Sequence, residues 1–313
     1  MMNQTTNSVL MIRPVAFRMN EQTAVNNYYQ KVLDNLSPET VNTKAQQEFD
    51  TFVKKLRTVG IDVTVVDDTQ SPDTPDSVFP NNWISFHENG DVVLYPMFAE
   101  NRRLERREEI LDLLEDNGFQ VNDIMDYTSA EEDHFYLEGT GSIILDRENQ
   151  KAYCALSPRA DEELFIEFCE DFEYAPIIFE AYQTINNERK LIYHTNVMMS
   201  IGDTFAVICP ESIDDKKERK MVIDSLKADG KEIISLTEAQ INNFAGNMLE
   251  LKGSNDRRYL VMSTAAHQSL TKKQIAQIEE HVTIISSNLD TIEACGGGSA
   301  RCMIAEIFLP KNN

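Results

Sequence analysis

A cysteine near the end of the chain stands in a setting that suits nucleophilic chemistry. Three consecutive glycines at 296–298 lead through a short segment to Cys302, and an apolar stretch follows it. Glycine lets the backbone take conformations closed to other residues and pass close to a bound molecule. A cysteine placed there could attack a ligand as a thiolate. The alternative is a tight turn that leads into a buried structural cysteine, because free cysteine is often a small core residue.

Two further residues could complete such a site with Cys302. His194 could act as a general acid and base, and Glu138 could orient it or share its proton. Each also has a structural interpretation: a histidine between strands is often a hydrogen-bonded core residue, and Glu138 precedes glycine, as in a turn. Their equivalent positions in repeated units, described next, favour the catalytic interpretation.

The elements that would position these residues recur along the chain. Five apolar strands are each preceded by a polar or small residue, and the first four are followed by a hairpin turn and a returning strand. The spacing between these preceding residues is 51 to 59 positions, and they are Asn82, Gly141, Asn196, Asn247 and Cys302. A strand–hairpin–helix unit that repeats at a steady interval indicates a closed cyclic array.

The last unit needs a partner strand from the other end of the chain. We expect residues 9–13, an apolar strand near the start of the chain, to pair with the strand that follows Cys302. This pairing would close the ring and leave no long exposed sheet edge. We therefore predict an α/β fold with one domain over residues 1–313, built from five ββαβ units around a central axis. A two-domain α/β protein with similar hairpins is the alternative.

Local signals predict several elements in more detail. Ser37 and Pro38 are typical of a helix start, and Gly60 is typical of the end of that helix. The apolar spacing predicts a second helix over residues 104–114, and residues 137–145 have the composition of a strand.

The composition limits the kind of partner. A net charge of −23 with 42% apolar residues describes a globular chain with an acidic surface. Such a surface disfavours nucleic acid and anionic membranes, so we expect neither as a partner. We find no apolar run near the roughly 18 residues of a membrane span and no signal peptide. The five cysteines form no CxxC pair, which favours a reduced, cytoplasmic compartment.

Metal and nucleotide cofactors are not expected. The five histidines show no HxxxH or other paired-ligand spacing. The chain has no P-loop and no GxGxxG motif, and Gly139-Thr140-Gly141 is too short to count as one. The chemistry therefore has to come from side chains.

Three segments resemble the signature motifs of the guanidino-modifying enzyme superfamily. They are Leu-Glu-Gly-Thr-Gly at 137–141, Tyr-His-Thr-Asn at 193–196 and Gly-Gly-Gly-Ser-Ala-Arg-Cys-Met at 296–303. That superfamily contains arginine deiminases, dimethylarginine dimethylaminohydrolases and amidinotransferases, and the resemblance extends over residues 9–310. It implies a five-bladed α/β-propeller (pentein) with pseudo-fivefold symmetry, with members that are often homodimers. It also implies Cys302 as nucleophile, His194 as acid and base, and Glu138 as its partner.

The resemblance also implies a binding site for the amino-acid end of the substrate. Asp76 matches an acidic position that contacts the amino-acid end of the substrate, and Arg159 matches an arginine that holds the α-carboxylate. Arg102 or Arg103 matches a second such arginine. A guanidinium can pair bidentately with a carboxylate. The alternative for Arg102 and Arg103 is the solvated start of a helix, since two further arginines follow them closely.

The chain departs from the superfamily where a guanidinium would be held. Carboxylates typical of guanidine-attacking members are replaced by Asn81-Asn82 and Asn196. Buried carboxylates facing a neutral group would be costly unpaired charges, whereas an asparagine offers both a donor and an acceptor. A ureido group is the neutral planar counterpart of guanidinium. We therefore expect these amides, with Asn247, to meet a ureido substrate.

Citrulline is the substrate that this combination predicts. The sequence is similar to a citrulline-hydrolase branch of the superfamily, and the expected products are ornithine, ammonia and carbon dioxide. Two alternatives stay open. One is an arginine deiminase or dimethylarginine-type hydrolase, with Asp76 as the remaining carboxylate; the other is a non-catalytic amino-acid-binding propeller. The presence of Cys302, His194 and Glu138 together weighs against the second.

Overall fold

Short strands and helices make up the computed structural model, which describes residues 3–33 and 35–312. The strands are Ser8–Arg13 (β1), Asp62–Asp67 (β2), Ile84–Phe86 (β3), Asp91–Leu94 (β4), Asp123–Asp126 (β5), Ile143–Asp146 (β6), Lys151–Ala155 (β7), Ala175–Phe179 (β8), Tyr182–Ile185 (β9), Glu188–Leu191 (β10), Met199–Ile201 (β11), Phe205–Ile208 (β12), Glu232–Ser235 (β13), Leu249–Lys252 (β14), Arg258–Ser263 (β15), Thr283–Ser287 (β16) and Ala305–Glu306 (β17). The helices are Pro38–Thr58 (α1), Glu100–Arg103 (α2), Glu109–Asp116 (α3), Gly139–Ser142 (α4), Glu162–Asp171 (α5), Lys216–Ala228 (α6), Glu238–Ile241 (α7), Thr264–Ser269 (α8), Lys272–Glu279 (α9) and Asp290–Gly296 (α10).

Most of these strands form three-stranded sheets that share one arrangement. The five sheets have the orders β17-β1-β2, β3-β4-β5, β6-β7-β8, β11-β12-β13 and β14-β15-β16. In each sheet the first pair is antiparallel and the second pair is parallel. A parallel pair needs a crossover connection, and helices α1, α3, α5, α6 and α8–α9 lie within these connections. The predicted mixed α/β fold is confirmed, and the five sheets repeat one strand arrangement.

The two ends of the chain meet in one sheet. β17 pairs antiparallel with β1, with Val9 opposite Glu306 and Leu10 opposite Ala305. The predicted partnership between residues 9–13 and the last strand is therefore confirmed. It places the segment that precedes β17, which carries Cys302, against the start of the chain.

The start and end of helix α1 have the capping geometry that the sequence predicted. The Ser37 hydroxyl accepts the Thr40 N–H, Pro38 occupies the first turn, and Gly60 takes a φ of +86° after the helix ends. Its apolar face is buried, including Phe49 and Phe52. Within the described residues, no helix combines the length and the apolar character needed to cross a membrane.

Two predicted elements have different boundaries. The helix expected over 104–114 begins only at Glu109 and runs to Asp116 (α3), and the non-helical residues 104–108 separate it from α2. Arg102 and Arg106 would share a face of one continuous helix; with the break, the first reaches Asn82 and the second Glu131.

The strand expected over 137–145 begins only at Ile143. Residues 139–142 form the helical turn α4 instead. Gly139 has a φ of +44°, which a regular strand does not contain. Comparable turns precede two other first strands, at Pro80–Asn82 before β3 and at Thr195–Val197 before β11.

Candidate active site

These helical turns bring the predicted site residues of different units together. Helix α4 packs against both the Pro80–Asn82 turn and the Thr195–Val197 turn. Glu138 directly precedes α4, and His194 directly precedes the Thr195–Val197 turn. Polar residues at the starts of three first strands are therefore neighbours, as the register of the repeat predicted.

The sulfur of Cys302 is surrounded by amide donors from two other units. Asn247 Nδ2 lies 3.1 Å from Cys302 Sγ, and Asn196 Nδ2 lies 3.4 Å from it. Asn247 Oδ1 accepts the backbone N–H groups of Arg301 and Cys302, at 3.0 and 3.4 Å. Because a backbone N–H can only donate, the Asn247 amide can present only its nitrogen to the sulfur. Two such donors are suited to a sulfur that carries negative charge.

The glycines before Cys302 serve packing. A Cβ at Gly296 or Gly298 would lie 2.7 or 2.8 Å from the ring of Phe79. Gly297 takes a φ of +63° after α10, and a Cβ there would lie 2.5 Å from Asn27. These residues let the segment pass closely under neighbouring side chains, and the approach is to protein groups.

Glu138 and His194 form a buried, directed pair. His194 Nε2 lies 2.7 Å from Glu138 Oε2, and Glu138 Oε1 accepts the backbone N–H of Phe98 at 3.0 Å. Burial alone would raise the pKa of Glu138, but the charge of Arg159 and the hydrogen bond from His194 outweigh it and hold that pKa at about 2. Burial lowers the pKa of His194 to about 4, against the opposing effect of Glu138. At neutral pH, Glu138 is thus ionised and His194 is a neutral base.

Gly141 marks the space that Asn82 and His194 share. A Cβ at Gly141 would lie 2.4 Å from Asn82 Nδ2 and 2.9 Å from His194 Nδ1. Both nitrogens therefore border one point next to α4. His194 engages Glu138 through Nε2 and turns Nδ1 toward this shared space.

The predicted arginines occupy different surroundings. Arg102 is buried and donates a hydrogen bond from Nη1 to Asn82 Oδ1 at 2.7 Å. The carboxylate of Glu105 accepts hydrogen bonds from Nε and Nη2 of Arg102. Arg103 is partly exposed and donates to the backbone carbonyls of Met97 and Phe98. The structure thus brings Arg102 to the site through Asn82 and turns Arg103 toward the chain segment beside it.

Asp76 and Arg159 are covered by a loop near the start of the chain. Asp76 Oδ2 accepts hydrogen bonds from Asn20 Nδ2 at 2.8 Å and Thr23 Oγ1 at 2.9 Å. Arg159 donates through Nη2 to the Thr23 carbonyl at 2.9 Å and through Nε to Asn26 Oδ1 at 2.9 Å. The sequence analysis missed these three loop residues, and the loop carries no motif or periodicity that could have indicated them.

Several buried polar atoms at this place lack a protein partner. Among the described residues, these atoms are Asp76 Oδ1, both amide atoms of Asn81, Asn82 Nδ2 and Asn196 Oδ1. Of the eleven site residues predicted from the sequence, the ten other than Arg103 are each at most 4% exposed. Buried polar groups are normally hydrogen-bonded, so this concentration indicates a place where a polar ligand completes the bonding. No group of three potential metal-ligating side chains occurs in residues 3–33 or 35–312.

Comparisons with known proteins agree with this arrangement. The family model described as N,N dimethylarginine dimethylhydrolase, eukaryotic, matches residues 13–309. No curated protein matches the chain. The solved N-terminal domain of ArgZ, covalently bound to a reaction intermediate, is 17% identical with a TM-score of 0.71, and the match covers 97% of this chain and 99% of that domain.

Two other solved structures give the same fold. ArgZ itself, an arginine dihydrolase from the ornithine-ammonia cycle in cyanobacteria, is 16% identical with a TM-score of 0.72; the match covers 97% of this chain but 41% of ArgZ. A cysteine-to-serine mutant of DDAH from Pseudomonas aeruginosa, complexed with citrulline, is 14% identical with a TM-score of 0.64 and coverages of 97% and 100%. At these identities the structures show a shared fold.

The family match spans nearly the whole chain and includes all the residues that converge at the site. It decides between an enzyme and a non-catalytic binding protein in favour of the enzyme. The chain belongs to the N,N dimethylarginine dimethylhydrolase family within the guanidino-modifying superfamily, and is a hydrolase of carbon–nitrogen bonds other than peptide bonds.

Proposed function

We propose that this hydrolase acts on the ureido group of citrulline and releases ornithine, ammonia and carbon dioxide. The observation that carries the proposal is a pair of amide atoms at the site that have no hydrogen-bond partner among the described residues. Asn82 offers a donor, Nδ2, and Asn196 offers an acceptor, Oδ1, and neither carries a charge. A ureido group has one C=O acceptor and N–H donors, so it complements both.

A guanidinium fits these amides less well. It has only N–H donors, so it would leave Asn82 Nδ2 without an acceptor. It would also bring a positive charge to a part of the site whose amides cannot compensate it, which is costly in a buried place. The neutral amides and the free donor therefore favour urea over guanidine.

The amino-acid end of citrulline would be held by charged groups. Asp76 can accept hydrogen bonds from the α-ammonium, and Arg159 can pair with the α-carboxylate. Asn20 and Thr23 donate hydrogen bonds to Asp76, and the Thr23 carbonyl and Asn26 accept hydrogen bonds from Arg159. Substrate binding would displace these loop contacts. We assign the carboxylate to Arg159 rather than Arg102, because Arg102 is turned to Asn82 and Glu105.

The mechanism uses His194 to move one proton back and forth. Neutral His194 accepts the thiol proton of Cys302, and the sulfur attacks the ureido carbon. Asn82 Nδ2 donates to the oxyanion that develops. His194 then protonates the leaving amine, which leaves an acyl group on the sulfur. Water, deprotonated by His194, attacks this adduct and regenerates the thiol; the carbamic acid formed yields ammonia and carbon dioxide.

We further propose that the five sheets surround one axis as a five-bladed α/β-propeller, the pentein fold, in a single domain over residues 1–313. Their common strand order, the β17–β1 pairing and the contacts of β11 with β6 and β14 support this arrangement. Residues 1, 2, 34 and 313 of this domain lie outside the described part. A cytoplasmic location and a homodimer stay predictions.

Product analysis tests the proposed reaction. The purified chain incubated with citrulline should yield ornithine and ammonia in equal amounts, measured by chromatography and a coupled ammonia assay. A heat-denatured sample is the control. Ammonia without ornithine, or no product at all, would contradict the proposal.

A guanidine hydrolase is the second candidate. The family match favours it, and Asp76 is a buried carboxylate with one oxygen free among the described residues. Arginine and methylated arginines would then be the substrates. Formation of citrulline from arginine, with no consumption of citrulline, would decide for this candidate.

Alanine at position 141 should damage the site more than the fold. Gly141→Ala places a methyl group between Asn82 Nδ2 and His194 Nδ1. We expect kcat/KM for citrulline to fall about 100-fold, as for a misplacement of about 1 Å. Overpacking should cost about 1–3 kcal/mol of unfolding free energy. Initial rates and urea unfolding measure the two effects.

Gly230→Ala is the matched control. Gly230 has a φ of +76°, but a Cβ there meets no atom of the described residues within 4 Å. This variant should lose stability through its strained backbone and keep its kcat/KM. Wild-type kcat/KM in Gly141→Ala would show that the space beside α4 is not used.

The pH at which activity is lost on acidification should lie well below the usual pKa range of histidine. His194 must be neutral to accept the thiol proton, and its pKa is lowered to about 4, chiefly by burial. We expect kcat/KM to hold down to about pH 5 and to fall through about pH 4, instead of near the unperturbed value of about 6.5. A pH profile with circular dichroism at each point checks this. A limb near pH 6.5 with intact fold would contradict the assigned protonation.

A further inference from the structure

We propose that Arg102, held by Glu105, is a positioning residue that fixes the polarity of the Asn82 amide and so selects a substrate with a carbonyl oxygen. The inference rests on the proposed function and names the group that makes Asn82 a donor toward the substrate. It also gives Arg102 a role different from binding the α-carboxylate.

The buried position of Arg102 is fixed by several contacts. Its Nε and Nη2 each lie 2.9 Å from an oxygen of Glu105, and both side chains are at most 2% exposed. Nη2 also donates to the Phe79 carbonyl at 3.0 Å. The guanidinium is thus clamped behind the turn that carries Asn82, with Nη1 2.7 Å from Asn82 Oδ1.

The chemistry of guanidinium determines which way the Asn82 amide faces. Arginine has five donors and no acceptor, so Nη1 must face the amide oxygen. The amide nitrogen then points to the other side, where a Cβ of Gly141 would lie 2.4 Å from it and 2.9 Å from His194 Nδ1. Nδ2 is buried there and has no hydrogen-bond partner among the residues that the structure describes.

This orientation has two consequences for the substrate. A permanent cation on Oδ1 polarises the amide, which strengthens Nδ2 as a donor to a ureido oxygen and to the oxyanion formed from it. The same donor, backed by a positive charge, opposes the N–H groups of a guanidinium. Asn82 alone could rotate and offer either atom; with Arg102 in place it offers only the donor.

A double-mutant cycle tests whether Arg102 acts through Asn82. The variants are Asn82→Ala, the pair Arg102→Gln with Glu105→Gln, and all three changes together. The paired change avoids leaving one buried charge without its partner. Arg107→Gln, whose side chain meets Glu109 at the surface, is the matched control and should keep wild-type activity. The readouts are kcat and KM for citrulline, with thermal unfolding to check the fold.

We expect Asn82→Ala to lower kcat about 100-fold, as for loss of one oxyanion donor. The Arg102/Glu105 pair should lower kcat about 10- to 100-fold with KM within about threefold, and should add nothing once Asn82 is alanine. Multiplying effects would overturn the inference. A KM raised more than about tenfold with unchanged kcat would also overturn it, since that result indicates α-carboxylate binding by Arg102.

Asn82→Asp keeps the test decisive if the paired variant does not fold. It leaves Arg102 and Glu105 in place and replaces only the donor by an oxygen. We expect citrulline kcat to fall about 100-fold; wild-type kcat would overturn the inference. Failure of the proposed function is seen separately, in the wild-type chain: absence of citrulline turnover there rejects the function, whereas independent effects in a citrulline-active wild type reject only the role of Arg102.

Discussion

Cys302→Ser should abolish citrulline hydrolysis, with kcat reduced at least about 10⁴-fold. A serine hydroxyl in place of the thiol is a far weaker nucleophile, and the amides of Asn196 and Asn247 that face the sulfur cannot ionise it. The change is nearly isosteric, so the fold should be kept. Citrulline should still bind, which isothermal titration calorimetry measures beside the steady-state rates.

Cys169→Ala is the control for that result. Cys169 is a buried residue of α5 in the apolar core, away from the residues that converge on Cys302. Its replacement should cost some stability and leave kcat unchanged. Substantial turnover by a correctly folded Cys302→Ser variant would reject Cys302 as the nucleophile.

His194→Ala should have the second large effect, a loss of about 10³- to 10⁴-fold in kcat with little change in KM. His194 is the neutral base assigned to carry a proton between the sulfur, the leaving amine and water. Glu138 keeps its hydrogen bond from the Phe98 N–H and its contact with Arg159, so it is not left isolated. Steady-state kinetics with citrulline measure the loss.

His267→Ala provides the comparison for a histidine outside the site. His267 lies in α8, where it is partly exposed, and its loss should not change kcat. A His194→Ala variant that retains a tenth or more of the wild-type kcat would show that another group moves the proton.

Local patterns were sufficient to predict the repeated units. The apolar strands after Asn82, Asn196 and Asn247 could be aligned because each begins two or three residues beyond its polar residue. The pairing of β1 with β17 followed from counting strands, since the fifth unit had no other partner. Each repeated unit is specified by residues that are close together in the chain, so the sequence shows the repeat directly.

Side-chain contacts made by loops outside the repeat could not be predicted. Asn20, Thr23 and Asn26 cover Asp76 and Arg159 from a loop without regular structure. Residues 139–142 of the strand expected over 137–145 form a helical turn, because Gly139 takes a positive φ between packed neighbours. Such features arise from tertiary packing, which overrides local preference.

The sequence predicts which residues are at the site, whereas the structure is needed to show how the amide side chains are oriented. The resemblance to the superfamily implied that Asn82 and Asn196 stand where guanidine-attacking members have carboxylates, and this predicted a neutral substrate. It could not tell which atom of Asn82 faces that substrate. Only the contact from the buried Arg102 to Oδ1 fixes Nδ2 as the donor.

A side-by-side measurement of kcat/KM for citrulline and for arginine, on one preparation of the wild-type chain, tests the proposed substrate most directly. Asn82 and Asn196 complement a urea and leave a guanidinium uncompensated, so citrulline should be preferred by at least about 10³-fold. Hydrolysis of arginine with an equal or higher kcat/KM would contradict the proposal and return the chain to guanidine chemistry.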